Sequence, residues 1–194
     1  MIGSFFRKLK IIALDANLRT RILFVLGAFL VFRLLAAIPI PGVDQAALQQ
    51  LFSGNQFLGL LNIFSGGGLS GLSIVMLGVG PYITASIIMQ LLTIMSPKMK
   101  ELYHEEGEAG KKKFAQYSRL LSVPLAVIQG IGFLLLLSSQ GILPDLSSFQ
   151  MVVNLIAITA GSVLLMWIGE LASEFGIGNG MSLIIFAGIV AGLP

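Results

Sequence analysis

The stretch Gly66-Gly67-Gly68-Leu69-Ser70-Gly71-Leu72-Ser73-Ile74-Val75-Met76-Leu77-Gly78-Val79-Gly80-Pro81-Tyr82-Ile83-Thr84-Ala85-Ser86-Ile87-Ile88-Met89-Gln90 decides the fold class. It belongs to a longer run, residues 45–97, in which 53 consecutive positions carry no charge. A helix needs only ~20 apolar residues to cross a ~30 Å hydrocarbon layer, so one span cannot account for the run. The economical reading is a short apolar helix over Phe57–Phe64, a glycine break, and a full span over Ile74–Met95. Apolar segments of ~10–14 residues usually mark re-entrant or interfacial elements. Glycine-broken backbone is tolerated at membrane depth only where protein or a water-filled cavity surrounds it, so the chain is expected to line a cavity. An outer loop carrying a surface helix would explain the same residues, because short apolar runs are ambiguous.

Composition points the same way. Of 194 residues, 56% are hydrophobic and 11% charged, against about a quarter charged in a soluble domain. A mean hydropathy of +0.93 is too high for disorder, the 23 glycines lack collagen's period, and the alternation of a membrane barrel is missing. The expected class is therefore an all-α integral membrane protein. With no cysteine, the chain offers no disulfide framework, zinc knuckle or thiol nucleophile.

Charge placement gives the topology. Eleven of the twelve basic residues fall in two segments, Arg7 to Arg21 and Lys98 to Arg119, and only Arg33 lies elsewhere. Counting apolar crossings puts both segments on one side, which the positive-inside rule makes the cytoplasm, while the outer loops hold only Asp44 and Asp145. The expected order is an amphipathic cytoplasmic helix over 1–21, span 1 over 22–38, an outer loop with the short helix over 39–73, and span 2 over 74–95. A cytoplasmic loop over 96–118, span 3 over 119–139, an outer loop over 140–150 and span 4 over 151–172 follow. A cytoplasmic turn over 173–180 and a fifth span over 181–194 complete the order. In the first segment Ile2, Phe5, Phe6, Leu9 and Ile12 recur at helical spacing opposite Arg7, Lys8 and Lys10, which suits a helix lying in the headgroup region. A cleaved signal peptide fits less well, because the next apolar segment is too long for a signal core.

Enzyme motifs do not survive their spacing. Gly176-Ile177-Gly178-Asn179-Gly180 brings its third glycine one residue early for a dinucleotide turn and follows an apolar helix. It reads as a tight turn in which glycines take positive φ and Asn179 tolerates a left-handed conformation. Gly110-Lys111 is followed by Lys112 where a phosphate loop needs Ser or Thr. The charged segment around it is a solvated hairpin or loop, or a docking surface for a cytosolic partner. His104, the single histidine, lies in that segment, where a solvated role is expected. Glu170 and Glu174, one turn apart, form at most a hydrated carboxylate pair. Arg33 is expected to snorkel to the outer interface. Val79, Ile83 and Ile87 recur at i, i+4, i+8, with Ile185 and Ile189 at i, i+4, and a lipid-facing stripe is the default for such positions. Gln90 and Thr93 suit a helix contact better than lipid.

Several motifs in order resemble the bacterial SecY family: Phe64-Ser65-Gly66-Gly67-Gly68-Leu69, Gly80-Pro81-Tyr82-Ile83-Thr84-Ala85-Ser86-Ile87-Ile88-Met89-Gln90-Leu91-Leu92, and Gly176-Ile177-Gly178-Asn179-Gly180-Met181-Ser182. Residues Glu105 to Lys113 and Gln116 to Arg119 are similar to that family's second cytoplasmic loop. The resemblance implies a protein-conducting channel of ten spans in two inverted five-span halves, of which this chain is similar to the amino-terminal half, ending inside the fifth span. It implies export of secretory proteins across, and lateral insertion of membrane proteins into, the bacterial cytoplasmic membrane, with the N-terminus cytoplasmic and no covalent chemistry or cofactor.

By resemblance, Phe57, Leu60, Leu61, Phe64, Gly66, Gly67 and Gly68 belong to a re-entrant plug with glycine hinges. Val79, Ile83, Ile185 and Ile189 match an aliphatic pore ring, which replaces the lipid-facing default for those four. Ile87 and Gln90 match the near wall of a lateral gate. Lys98, Lys100, Lys111, Lys112 and Lys113 are the candidate cytoplasmic docking residues on the strength of their charge, since charge-rich loops steer association. Implied partners are SecE-like and SecG-like membrane subunits, a SecA-like ATPase motor or ribosome, secretory and membrane polypeptides, the lipid bilayer and the carboxy-terminal half. The alternative from the residues is a secondary transporter of small solutes, which also uses inverted repeats and broken helices but places polar ligands near midplane.

Overall fold

The computed structural model describes residues 15–41, 68–69, 71–141, 143 and 147–191. Residues 1–14 of the expected N-terminal amphipathic helix, and the short helix over Phe57–Phe64 with Gly66 and Gly67, lie outside them. Among the described residues the regular elements are helices, and the one strand-like feature is an isolated antiparallel bridge between Pro39 and Ser73.

Helix α1 spans Ala16–Ala36. The Asp15 carboxylate starts it by accepting the N–H groups of Asn17 (2.9 Å) and Leu18 (3.4 Å), donors that a helix N-terminus leaves unpaired. Pro39 follows its end, where the residue before a proline is pushed out of the helical region. Helix α2, Gly80–Met95, opens with Pro81, whose missing N–H costs nothing in the first turn. It stops because Ser96 precedes Pro97 and is extended at φ −122°, ψ 118°. Helix α3 is Pro97–His104, and α4 runs the 33 residues Gly107–Ser139. Helix α5, Ser148–Phe175, begins with a reciprocal cap in which Ser147 Oγ accepts the Gln150 N–H and Gln150 Oε1 accepts the Ser147 N–H. Helix α6 is Gly180–Ala191.

Helices α4 and α5 are long and apolar enough to cross a membrane, while α2 and α6 are shorter apolar helices. Helix α5 is central, packing on α1, α2, α4 and α6, and α4 in turn packs on α2 and α3. The buried face of α4 follows a four-residue step through Gly110, Phe114, Ser118, Ser122, Ala126, Gly130 and Leu134, the spacing of one helix face.

Three boundaries differ from the sequence reading. Residues 16–21, expected in the amphipathic segment over 1–21, are the first turns of α1 and run without a break into the apolar stretch that follows. The second apolar stretch becomes helical at Gly80, six residues after Ile74, and Leu72–Val79 form successive turns instead. The charged segment over 96–118 is a helical hairpin: α3 turns at Glu105–Glu106 and α4 starts at Gly107, so one helix carries both the charged arm and the apolar span. The link is compact because Gly107 takes φ +62° and Gly110 lies against α3, where a Cβ would sit 1.9 Å from the Leu102 carbonyl oxygen.

Candidate functional site

Non-helical backbone in an apolar bundle leaves N–H and C=O groups that must find partners. The turns leading into α2 find them in backbone. Ile40 N–H donates to Leu72 O (2.8 Å) and Ile74 N–H to Ile38 O (3.0 Å), tying the segment to the chain leaving α1. Ser73 N–H donates to Gly68 O, Met76 to Ser73 O and Gly78 to Val75 O, closing a chain of tight turns. Leu72 takes φ +40°, in the left-handed region that an L side chain rarely adopts, and its side chain is fully buried.

This segment joins two apolar clusters. Leu72 and Met76 pack with Ile40, Leu69, Leu134, Leu137, Leu143 and Ile158. Val75 and Val79 pack with Ala28, Phe32, Leu165, Ile168, Ala172 and Ile184. The close approach depends on Gly161 of α5, where a Cβ would stand 2.0 Å from the Ile74 carbonyl oxygen. Buried polar atoms accompany the break: Ser73 Oγ, Asn154 Oδ1 and Ser162 Oγ have no hydrogen-bond partner, while Asn154 Nδ2 donates to Pro41 O (3.4 Å).

The residues singled out as a pore ring divide here. Val79, 4% exposed, and Ile185 belong to the same cluster, the first at its centre and the second packed against it. Ile83 lies one turn along α2 and is 38% exposed, so it leaves that cluster for the free face of α2, while Ile189 is half-buried on α6. Ile87, 52% exposed, and Gln90 continue the same free face. Gly68 is buried beside Leu69 at the start of the turns. Lys98 and Lys100 on α3 and Lys111, Lys112 and Lys113 on α4 are exposed together on the helical hairpin, where Lys111 pairs with Glu108 (3.8 Å) and Lys113 with Glu106 (3.1 Å). Thr93 turns inward on its own helix, its hydroxyl donating to Gln90 O (2.7 Å).

Four features escape the sequence reading. Glu170 takes the Arg119 guanidinium across the α4–α5 contact. Asn179 is not left-handed; Gly178 takes the positive φ (+72°), and Asn179 Oδ1 caps α6 by accepting the Ser182 N–H (3.1 Å). Arg21 of α1 donates from Nη1 to the Gly176 carbonyl (3.1 Å), and Gln129 Nε2 of α4 donates to Thr84 Oγ1 of α2 (3.5 Å). The available signal was residue type, since arginine beside apolar spans seeks carboxylates or helix C-termini, but the partner across the fold is invisible to spacing. Arg21 and Arg119 thus meet the last turns of the same helix, α5, at one end of the bundle.

Among the described residues this is an all-helical protein of the membrane class, with a broken, buried entry into one helix and an aliphatic face beside it. The sequence pattern of the SecY family matches residues 73–194, and the chain belongs to that family. It is 42% identical over its whole length to the protein translocase subunit SecY of Mycobacterium tuberculosis, and 44% to that of Streptomyces coelicolor, covering 46% of each. Over 92% of the chain it is 48% identical to SecY of a Synechocystis species, covering 40% of that protein. The chain therefore spans about half the length of these curated relatives. The fold is similar, with a TM-score of 0.61 and 22% identity, to Sec61 in a canine ribosome–channel complex from the endoplasmic reticulum and to a solved protein-conducting channel, in each case over 89% of this chain and 36% of the other.

Proposed function

We propose that this chain is the amino-terminal half of a channel that passes polypeptides across the bacterial cytoplasmic membrane and releases apolar segments sideways into lipid. The observation that carries the reading is the buried turn segment Leu72–Val79, which delivers Val79 into a cluster shared with Ile185 and leaves Ile83 on a free aliphatic face. In the assembled channel Val79, Ile83, Ile185 and Ile189 form half of a constriction. Aliphatic side chains yield around a passing chain, and a narrow apolar neck excludes ions by dewetting. The segment over 57–68, with Gly66, Gly67 and Gly68 as hinges, closes the outer mouth at rest.

Five spans cross the membrane on this reading, with the N-terminus and both basic segments cytoplasmic. The meeting of Arg21 and Arg119 at one end of α5 supports it. Ile87 and Gln90 then face the exit into lipid. An apolar segment gains by leaving the aqueous path and a polar one does not, so partition alone sorts substrates. The exposed lysines of the α3–α4 hairpin receive the cytosolic partner, a SecA-like motor or a ribosome, which supplies the free energy. SecE-like and SecG-like subunits and the carboxy-terminal half complete the assembly. Transport of small solutes is disfavoured by the family and by the aliphatic character of the free α2 face. An arrested secretory polypeptide should contact this chain in membranes that hold the assembled channel; saturable binding of a small solute with no polypeptide contact would overturn the proposal.

A further inference from the structure

The turn between α5 and α6 is held from two sides. From within, the Gly180 N–H donates to Ser173 Oγ (2.8 Å), and that hydroxyl donates to Gly169 O (3.0 Å). Gly169 and Gly180 allow this, since a Cβ on Gly180 would stand 2.1 Å from the Gly169 carbonyl oxygen, and one on Gly169 would stand 2.4 Å from Met181 Sδ. From outside, three residues of α1 grip the turn. Arg21 Nη1 donates to Gly176 O, the Phe24 and Phe175 rings sit 5.7 Å apart, and Val25 Cγ2 lies 2.7 Å from where a Gly176 Cβ would be. Positions 21, 24, 25, 28 and 32 form one face of α1, and Ala28 and Phe32 carry that face into the cluster containing Val79.

The chemistry favours Arg21 as the fixing element. Gly176 closes α5, whose last carbonyls lack helical partners and carry partial negative charge. A guanidinium there supplies both a donor and a complementary charge, and the contact is partly buried, which limits competition from water. Because Gly176 is four residues from the first residue of α6, fixing its carbonyl fixes where α6 begins.

We infer that Arg21 is a positioning residue, a latch from α1 that sets the seat of α6 and so the placement of Ile185 beside Val79. Its consequence for a pore rests on the channel reading; its effect on the position of α6 does not. The natural absence of cysteine makes the test clean. In membranes, the full chain carrying Val79→Cys and Ile185→Cys is treated with a short bifunctional thiol reagent, alone and with Arg21→Ala or Arg21→Lys. A second pair, Thr84→Cys and Gln129→Cys, reports the α2–α4 contact as a control for folding. Arg21→Ala should slow cross-linking of the first pair by about tenfold, the scale of one lost charge-assisted hydrogen bond, and leave the second unchanged. Arg21→Lys should restore it to within about twofold, because one carbonyl needs only one cationic donor.

Gly176→Ala gives an independent arm: it keeps the Arg21 side chain, but its Cβ would stand 2.3 Å from the Ala172 carbonyl oxygen and 2.7 Å from Val25 Cγ2, so the turn must shift under the latch, and it should slow the first pair likewise. Unchanged cross-linking in Arg21→Ala with a normal control overturns the latch. If Arg21→Ala also loses the control pair, Gly176→Ala decides, and a wild-type rate there overturns it. Contact of an arrested polypeptide at Ile83 is measured on the chain with native Arg21, so failure of the latch and failure of the channel reading are told apart.

Discussion

Two glycine-rich connections, Gly71–Gly80 and Gly176–Gly180, look alike as strings of letters and are built in opposite ways. The first is buried, lies between two apolar clusters and satisfies its backbone with backbone, through the Pro39–Ser73 bridge and a chain of turns. The second sits at the charged end of the bundle and relies on side chains: Arg21, Ser173 and Asn179. The difference follows from surroundings. Deep in an apolar bundle a side-chain donor brings its own desolvation cost, whereas backbone pairs satisfy two groups at once. At a wet end, a polar side chain pays little and fixes the turn. The first connection should therefore fail by steric intrusion and the second by loss of individual polar contacts.

The largest effect is expected at Gly161, whose missing side chain admits the Ile74 carbonyl. Gly161→Val places its Cβ 2.0 Å from that oxygen and 2.7 Å from the Ile74 carbonyl carbon in the middle of α5, a clash with backbone rather than with a flexible side chain. It should abolish the folded form, seen as loss of the cooperative transition of the single tryptophan, Trp167, during denaturation in detergent. A folded variant with a normal transition would mean that the first connection is not seated on α5.

Gly180→Ala should cost less. Its Cβ also meets backbone, 2.1 Å from Gly169 O and 2.6 Å from Ser173 N, but the turn beside it is exposed and can shift. A loss of about 1–3 kcal/mol in the same assay is expected, the range of moderate overpacking. A loss as complete as that of Gly161→Val would erase the distinction between the two connections. Asn179→Ala should cost only about 1 kcal/mol, the worth of one N-cap, and Asn179→Asp should recover most of it. An equal loss in both variants would show that the cap is not what Asn179 contributes.

Much of this was legible from residue pattern. Helices α4 and α5 announce themselves as long apolar runs, and the glycines with Gly80-Pro81 announce a break. The start of α2 was not legible, because Ile74–Val79 is as apolar as the helix that follows and what keeps it non-helical is pairing with Ile38 and Ile40, more than thirty residues earlier. The charged arm of α4 was hidden for another reason: its buried residues Gly110, Phe114 and Ser118 are small or isolated among lysines, so the face is visible only once α3 covers it. Within the candidate site, the aliphatic residues stand out only by resemblance; that Val79 is buried and Ile83 exposed depends on where the turns end and the helix begins at Gly80. The pairing of Arg119 with Glu170 joins two helices across 51 positions, and nothing local reports it.

The central claim is that the free aliphatic face of α2 touches a polypeptide in transit. It is tested most directly by Ile83→Cys in membranes that hold the assembled channel with a stalled secretory protein carrying one cysteine, with Phe29→Cys on α1 as the control. The account predicts a disulfide to the stalled chain from position 83 and none from position 29. No disulfide from position 83, with the complex assembled and the stalled chain verified, would contradict it.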